Sequence, residues 1–411
     1  MVSSKPSPDA DQASSPVDRP RKKLAIITTV WRYLTHAQHM GDRFLAGYPL
    51  RGRWHRPAMD VVALYVDQKP AGDQSVERAA SFGFKVYQTV AETLRCGGLK
   101  LAVDGVLVIG EHGDYPRNEK GQILYPRYEF FREVTRVFEQ DGRAVPVFND
   151  KHLSYSFAKA QEMVNISRRL SFPLLAGSSL PVTWRLPPIE LPLGCVIDQA
   201  LVVGVGGSDA MDFHALEALQ CMVERRKGGE TGVKGVQLIS GESVWEAGRR
   251  GRWSRELLEA ALARSDSLQG LTVADGRTQD LVASGEISRL ARRPSAYFIE
   301  YVDGTHATLL MLDGAVTDFT FAAKVRESAS IYSTQFLLPP NPNVAYSACL
   351  MHKVEEMIEA GKAPYPVERT LLVSGVLEAC LDSRAQDQRR LDTPQLNIHY
   401  QPPRTSQFCQ T

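Results

Sequence analysis

Net charge is what this sequence most plainly lacks: 48 Lys and Arg stand against 47 Asp and Glu over 411 residues. A chain so balanced has no global field to draw it onto nucleic acid or an anionic membrane. Small molecules and other protein surfaces are therefore the expected partners. Long apolar runs are missing too. No segment approaches the roughly 18 uninterrupted apolar residues of a membrane span, and the opening MVSSKPSPDADQASSPVDRP has no apolar core ahead of a cleavage site. The expectation is a soluble, cytoplasmic protein. Residues 1–21 read as a disordered tail, because Ser, Pro, Asp and Gln bury too little to offset the entropy of ordering. Cysteine is sparse: Cys96, Cys195, Cys221, Cys349, Cys380 and Cys409 are far apart and form no CxxC pair. That speaks against a zinc or disulfide framework and for reduced side chains filling core space.

What is present is an alternation of short apolar strands with helical stretches. Strands are expected at 24–30, 61–66, 85–87, 105–109, 144–148 and 173–176, with helices at 35–46, 75–82, 90–94, 128–140 and 155–170. Strands without polar alternation are buried on both faces, so residues 22–180 read as an α/β domain with a doubly wound parallel sheet. Ligands in such a domain bind beyond the carboxyl ends of the strands. After Gly177 prolines break the chain, and 181–345 reads as an α+β domain with a mostly antiparallel open sheet. Its clearest hairpin, Tyr297 to Leu312, turns at Asp303-Gly304. Residues 346–384 read as C-terminal helices that pack back, and 385–411 as an irregular tail.

The order of these elements, with several words of sequence, resembles the Gfo/Idh/MocA oxidoreductases. Val147-Phe-Asn-Asp-Lys-His is similar to that family's strand ending in Glu/Asp-Lys-Pro, which places its lysine at Lys151. Asp212-Phe-His-Ala-Leu-Glu is similar to the helix carrying its catalytic histidine, which places that residue at His214. The resemblance implies a Rossmann-like domain, an NAD or NADP cofactor and a sugar-like or hydroxy-carboxylate substrate. It also implies a homo-oligomer formed through the second-domain sheet. His214 would carry the proton and Lys151 would steady the developing charge. The acidic residue usual four positions before the histidine is Ala210 here, with Asp209 and Asp212 on either side.

The family's glycine-rich first turn is absent. Ala25 to Met40 contains no glycine, and Thr28-Thr-Val-Trp-Arg-Tyr-Leu-Thr occupies the turn. Thr28, Thr29 and the helix start near Thr35 offer donors to a phosphate; equally, Trp31 and Tyr33 can plug the site. Asp67, closing the second long strand, is placed to bond a ribose diol, while Gln68-Lys69 leaves NADP open. Glu111, His112 and Asp114 follow one strand and Asp150 and His152 the next, so these groups can converge in one crevice. They suit hydrogen bonds to a polar substrate or, with Glu111, His112 and His152 as ligands, a divalent metal activating water for a lyase or hydrolase. A non-catalytic binding protein is the remaining alternative. The loop from Tyr115 to Tyr128 has the character of a lid, with Arg117 and Lys120 available to an anion. His36 and His39 share one helical face.

Overall fold

The first domain of this computed structural model, which describes residues 20–207, 209–266, 280–339 and 341–410, is built on a six-stranded parallel sheet. The tail expected over 1–21 lies, apart from its last two residues, outside the described residues. In chain order the first half comprises β1 (Lys22–Thr28), α1 (His36–Ala46), a small hairpin of β2 (Tyr48–Leu50) and β3 (Arg53–His55), β4 (Met59–Val66), α2 (Ser75–Phe82) and β5 (Lys85–Tyr87). It continues with α3 (Val90–Leu94), β6 (Gly105–Ile109), α4 (Arg127–Asp141), β7 (Val147–Asp150), α5 (Phe157–Arg169) and β8 (Leu174–Gly177). The sheet order is β5-β4-β1-β6-β7-β8. β1, β6, β7 and β8 have fully buried cores because helices cover both faces, which is why their sequences run apolar without alternation.

Register aligns the carboxyl ends. Thr28 pairs with Val66 on one side and Ile109 on the other, Val108 with Asn149, and Asp150 with Gly177. Whatever follows these strands therefore meets along one edge of the sheet. Gly177 itself has φ +125°, and a Cβ there would lie 2.7 Å from Glu217 Oε2, so only glycine lets the helix behind approach so closely.

The second half comprises β9 (Arg185–Leu186), β10 (Ile197–Gly204), α6 (Asp209–Val223), β11 (Val233–Ser240), α7 (Glu242–Arg249), α8 (Arg255–Leu262), α9 (Glu286–Leu290), β12 (Ser295–Tyr301) and β13 (His306–Met311). After these come β14 (Phe319–Val325), β15 (Tyr332–Phe336), α10 (Tyr346–Ala360), α11 (Glu368–Ala385) and β16 (Leu391–Asp392). The eight-stranded sheet runs β16-β11-β12-β13-β10-β14-β15-β9, antiparallel except for the β10–β13 pair. Tyr301 and Thr305 close the expected hairpin through a backbone bond of 2.9 Å. α6 and α11 pack on one face, and α11 also meets α5, so one continuous core joins the two halves.

The other face is covered as well. Leu201, Val203, Ile239, Phe298, Leu310 and Ala322 pack under Trp245, Trp253, Leu257, Leu258 and Ile287 of the α7–α9 segment. Over this part of the sheet, the chain's own helices bury the apolar side chains. The tail from Ala385 is irregular only in part, since β16 extends the sheet and Leu396 and Tyr400 are buried.

Candidate active site

The strand ends deliver a dense set of buried polar groups. Lys151 follows β7 and has φ +62°, and His112 follows β6 with φ +70°. Side chains with Cβ seldom adopt this region, and such strain concentrates where a fold holds functional groups in place. From the opposite domain, the second turn of α6 presents His214. Lys151 Nζ lies 2.7 Å from His214 Nε2, and His214 Nδ1 lies 2.5 Å from Ser178 Oγ just beyond β8. The lysine donates to Nε2, which assigns the proton of a neutral ring to Nδ1 and from there to the serine oxygen. Burial, with Lys151 and His36 beside it, pushes the His214 pKa well down, so the imidazole is uncharged at neutral pH.

Around this pair the charges are matched by position. Glu111 accepts from Arg127 Nη2 and lies 3.7 Å from Lys151 Nζ. Burial pushes its carboxyl up, but the Lys151 and Arg127 charges outweigh burial and hold it well below the ordinary carboxylate range. Arg127 forks, its second arm 3.2 Å from His152 Nε2. Asp150 bonds His36 Nδ1 at 2.6 Å. Burial and the neighbouring Glu111 raise Asp150 to about 6, while burial and Lys151 push His36 down, which favours the neutral imidazole. The His36 ring contacts those of His39 and His112 at 4.9 and 5.0 Å. Asp209 is half-buried, its pKa raised by burial against the pull of Arg127.

The sequence candidates are thus largely gathered, with exceptions. Asp212 is turned away: its Oδ2 accepts from Tyr297 at 2.6 Å in the second domain's core. The metal arrangement of Glu111, His112 and His152 is corrected. Among the described residues their ligand atoms form no metal-sized cluster, and two cations occupy the carboxylate instead. Lys120 is not free for an anion, being paired with Glu378 and Asp382 of α11, and Arg117 bonds Gly121 within its own loop. Two participants escaped the sequence reading. Arg127 opens α4 from a stretch that reads as a surface lid, and Ser178 follows a strand as an ordinary small residue. Only Gly110 hints at the arginine, since a Cβ there would lie 2.7 Å from Arg127 Cγ.

The edge where a dinucleotide would lie is built differently from a glycine-rich turn. Thr28 and Thr29 are fully buried and donate to the carbonyls of Ile109 and Glu111 at 2.9 and 2.6 Å. Their hydroxyls are committed to the sheet rather than to a phosphate. Trp31 is fully buried beneath α1, where Gly41 makes room: a Cβ there would collide with its ring. Tyr33, by contrast, is exposed. Asp67 is exposed at the end of β4, accepting from Tyr65 at 2.9 Å and Tyr115 at 2.6 Å. The Gln68 amide holds the backbone of Asp114 through two bonds of 2.9 Å. A turn of buried side chains thus stands where a glycine-rich one would lie, and Asp67 is the exposed acidic group at the end of β4.

Solved structures of matching architecture include GenD2 from gentamicin A biosynthesis in complex with NAD. It has a TM-score of 0.57 at 14% identity, covering 91% of this chain and 96% of that one. The likeness is one of fold, a Rossmann-like parallel sheet followed by a second, mostly antiparallel sheet. A probable dehydrogenase from Thermotoga maritima matches at 0.54 and 12% identity, covering 91% and 99%. Myo-inositol dehydrogenase from Lactobacillus casei, in complex with NAD(H) and myo-inositol, matches at 0.52 and 11%, covering 90% and 96%. Neither a family model nor a curated protein matches the sequence. No helix among the described residues is long and apolar enough to cross a membrane.

Proposed function

We propose that this chain is an NAD(P)-linked oxidoreductase acting on a hydroxyl-bearing carbon of a sugar-like or hydroxy-carboxylate substrate. The observation that carries the proposal is the 2.7 Å contact between Lys151 and His214, made across the two domains with the histidine neutral. The nicotinamide, when bound, supplies or receives the hydride. With the Lys151 N–H turned to the substrate oxygen, His214 takes the hydroxyl proton at the freed Nε2 during oxidation and returns it during reduction, while Ser178 keeps the tautomer fixed through Nδ1. Lys151 holds positive charge beside the developing alkoxide, and Glu111 keeps that lysine in place. Arg127 balances the Glu111 carboxylate. Asp67 would take the cofactor's ribose, which favours NAD. A cavity of about 630 Å³ bordered by Met211, Gln335, Leu338 and Tyr346 lies beside the α6 N-terminus, and Tyr346 contacts the His39 ring at 5.9 Å. It offers room for the body of a substrate. The NAD complexes of GenD2 and of the inositol dehydrogenase support the cofactor assignment.

The test is calorimetric titration of NADH and NADPH, followed by a panel of polyols and hydroxy acids with the oxidised cofactors. Binding of one cofactor, with turnover that His214→Asn abolishes, is expected. Failure of both cofactors to bind at millimolar concentration would refute the assignment.

A further inference from the structure

A second constellation lies away from the strand edge, where the hairpin after α1 meets the middle of α10. His352 and Glu355 stand three residues apart on one face of α10, and His55 reaches them from β3. One ligand atom from each of the three lies within 4.8 Å of the others. We propose that His55, His352 and Glu355 form a structural site for one zinc-like divalent ion.

The orientation of each group supports this. Glu355 Oε1 accepts from the backbone N–H of Ala58 at 2.9 Å, which fixes the carboxylate and turns Oε2 toward His55 Nε2 at 2.7 Å. His352 directs Nδ1 toward the Tyr48 hydroxyl at 3.2 Å, and that hydroxyl bonds the same Glu355 oxygen at 2.5 Å. The far nitrogen of His352 is 3.3 Å from Glu356 Oε1, whose other oxygen is held by Lys353 at 2.9 Å. A ligating histidine oriented by an outer carboxylate is the arrangement that tunes metal sites in proteins. Two imidazoles and one carboxylate select a borderline ion such as zinc over magnesium or calcium, which prefer all-oxygen shells. A water completes four-coordination. Glu355 is buried at 4% exposure, while His55 and His352 retain 30% and 22%, which leaves an entry path on the solvent side.

The site's position says what the ion does. Tyr48 pairs with His55 across the hairpin, so the ion joins the segment leaving α1 to α10. α1 and α10 pack side by side, and their N-terminal residues His36 and Tyr346 both border the strand-edge site. α1 has 11 residues, so at 1.5 Å per residue it spans about 16 Å from His36 to the segment that the ion holds.

Untagged full-length protein, stripped with chelator and dialysed, is titrated with Zn²⁺ and, for its visible d–d bands, with Co²⁺. Expected results are one ion per chain by elemental analysis, tetrahedral-type Co²⁺ bands and a thermal midpoint raised by Zn²⁺. His55→Ala, His352→Ala and Glu355→Gln remove all three. Glu356→Gln weakens binding by about 10–100-fold, the usual loss for an outer partner. His112→Asn, at the strand edge, leaves stoichiometry at one. Circular dichroism screens folding, and His352→Gln replaces the alanine variant if that unfolds. Absence of stoichiometric binding, or binding that survives the paired loss of His55 and His352, overturns the proposal. Neither outcome bears on cofactor binding, which is read separately.

Discussion

Glu111→Gln is the most informative perturbation of the strand-edge site. In the native protein the carboxylate is 6% exposed and shared by Arg127 and Lys151, both nearly fully buried. Glutamine keeps the shape but leaves two buried cations without a counter-charge. Breaking a buried pair by removing one partner costs about 3–5 kcal/mol. Urea denaturation at pH 7, read by linear extrapolation, is expected to show that loss. The pH dependence supplies a second check. The folded-state pKa of Glu111 is held well below its unfolded value, which is about 4.3. Its stabilisation is therefore complete above that value and drains away as pH falls below it toward the folded pKa. The gap between wild type and variant should narrow steadily from about pH 5 to pH 3. A loss below about 1 kcal/mol at pH 7, or a gap constant with pH, would refute the charge assignment.

Three further outcomes follow from other parts of the fold. Tyr115→Phe frees one oxygen of Asp67, so NADH titrations should show tighter binding than wild type. Asp212, raised by burial from 3.8 to about 6, opposes folding as pH climbs through that window. Asp212→Asn should gain stability relative to wild type between pH 4 and pH 8, on the order of 3 kcal/mol for a pKa displaced by roughly two, measured by paired denaturation curves. Gly41→Ala drives a methyl into the Trp31 ring and should cost about 1–3 kcal/mol, and Trp31→Phe should recover part of it, as a double-mutant cycle would show.

Much of the scaffold was legible along the chain. The helices at Ser75–Phe82 and Val90–Leu94 and the strands at Lys85–Tyr87 and Gly105–Ile109 fall where the apolar periodicity places them. Local pattern suffices there because burial on two faces leaves a short strand no room for polar residues. The hairpin at Tyr48–His55 was not legible, since Tyr-Pro-Leu-Arg-Gly-Arg-Trp-His carries neither a clear alternation nor a buried face of its own. The covered face of the second sheet was missed for a related reason. Helix α7 is short and mixed in composition, and only Trp245 and Trp253 meeting edge to face show how firmly it seals the strands.

Of the site, the sequence by itself determined the partners that follow strands: Asp67, Glu111, His112, Asp150, Lys151 and His152 share an edge because parallel strands in register end together. It pointed to Lys151 and His214 as a pair only through resemblance. The tertiary structure alone decided that these two meet at 2.7 Å, that Arg127 pairs with Glu111, and that Asp212 belongs to the core. The physical reason is that strand register is a local repeat readable in one dimension. The approach of α6 to the sheet edge depends instead on packing shared by α6, α11 and both sheets, and no single segment of the chain encodes it.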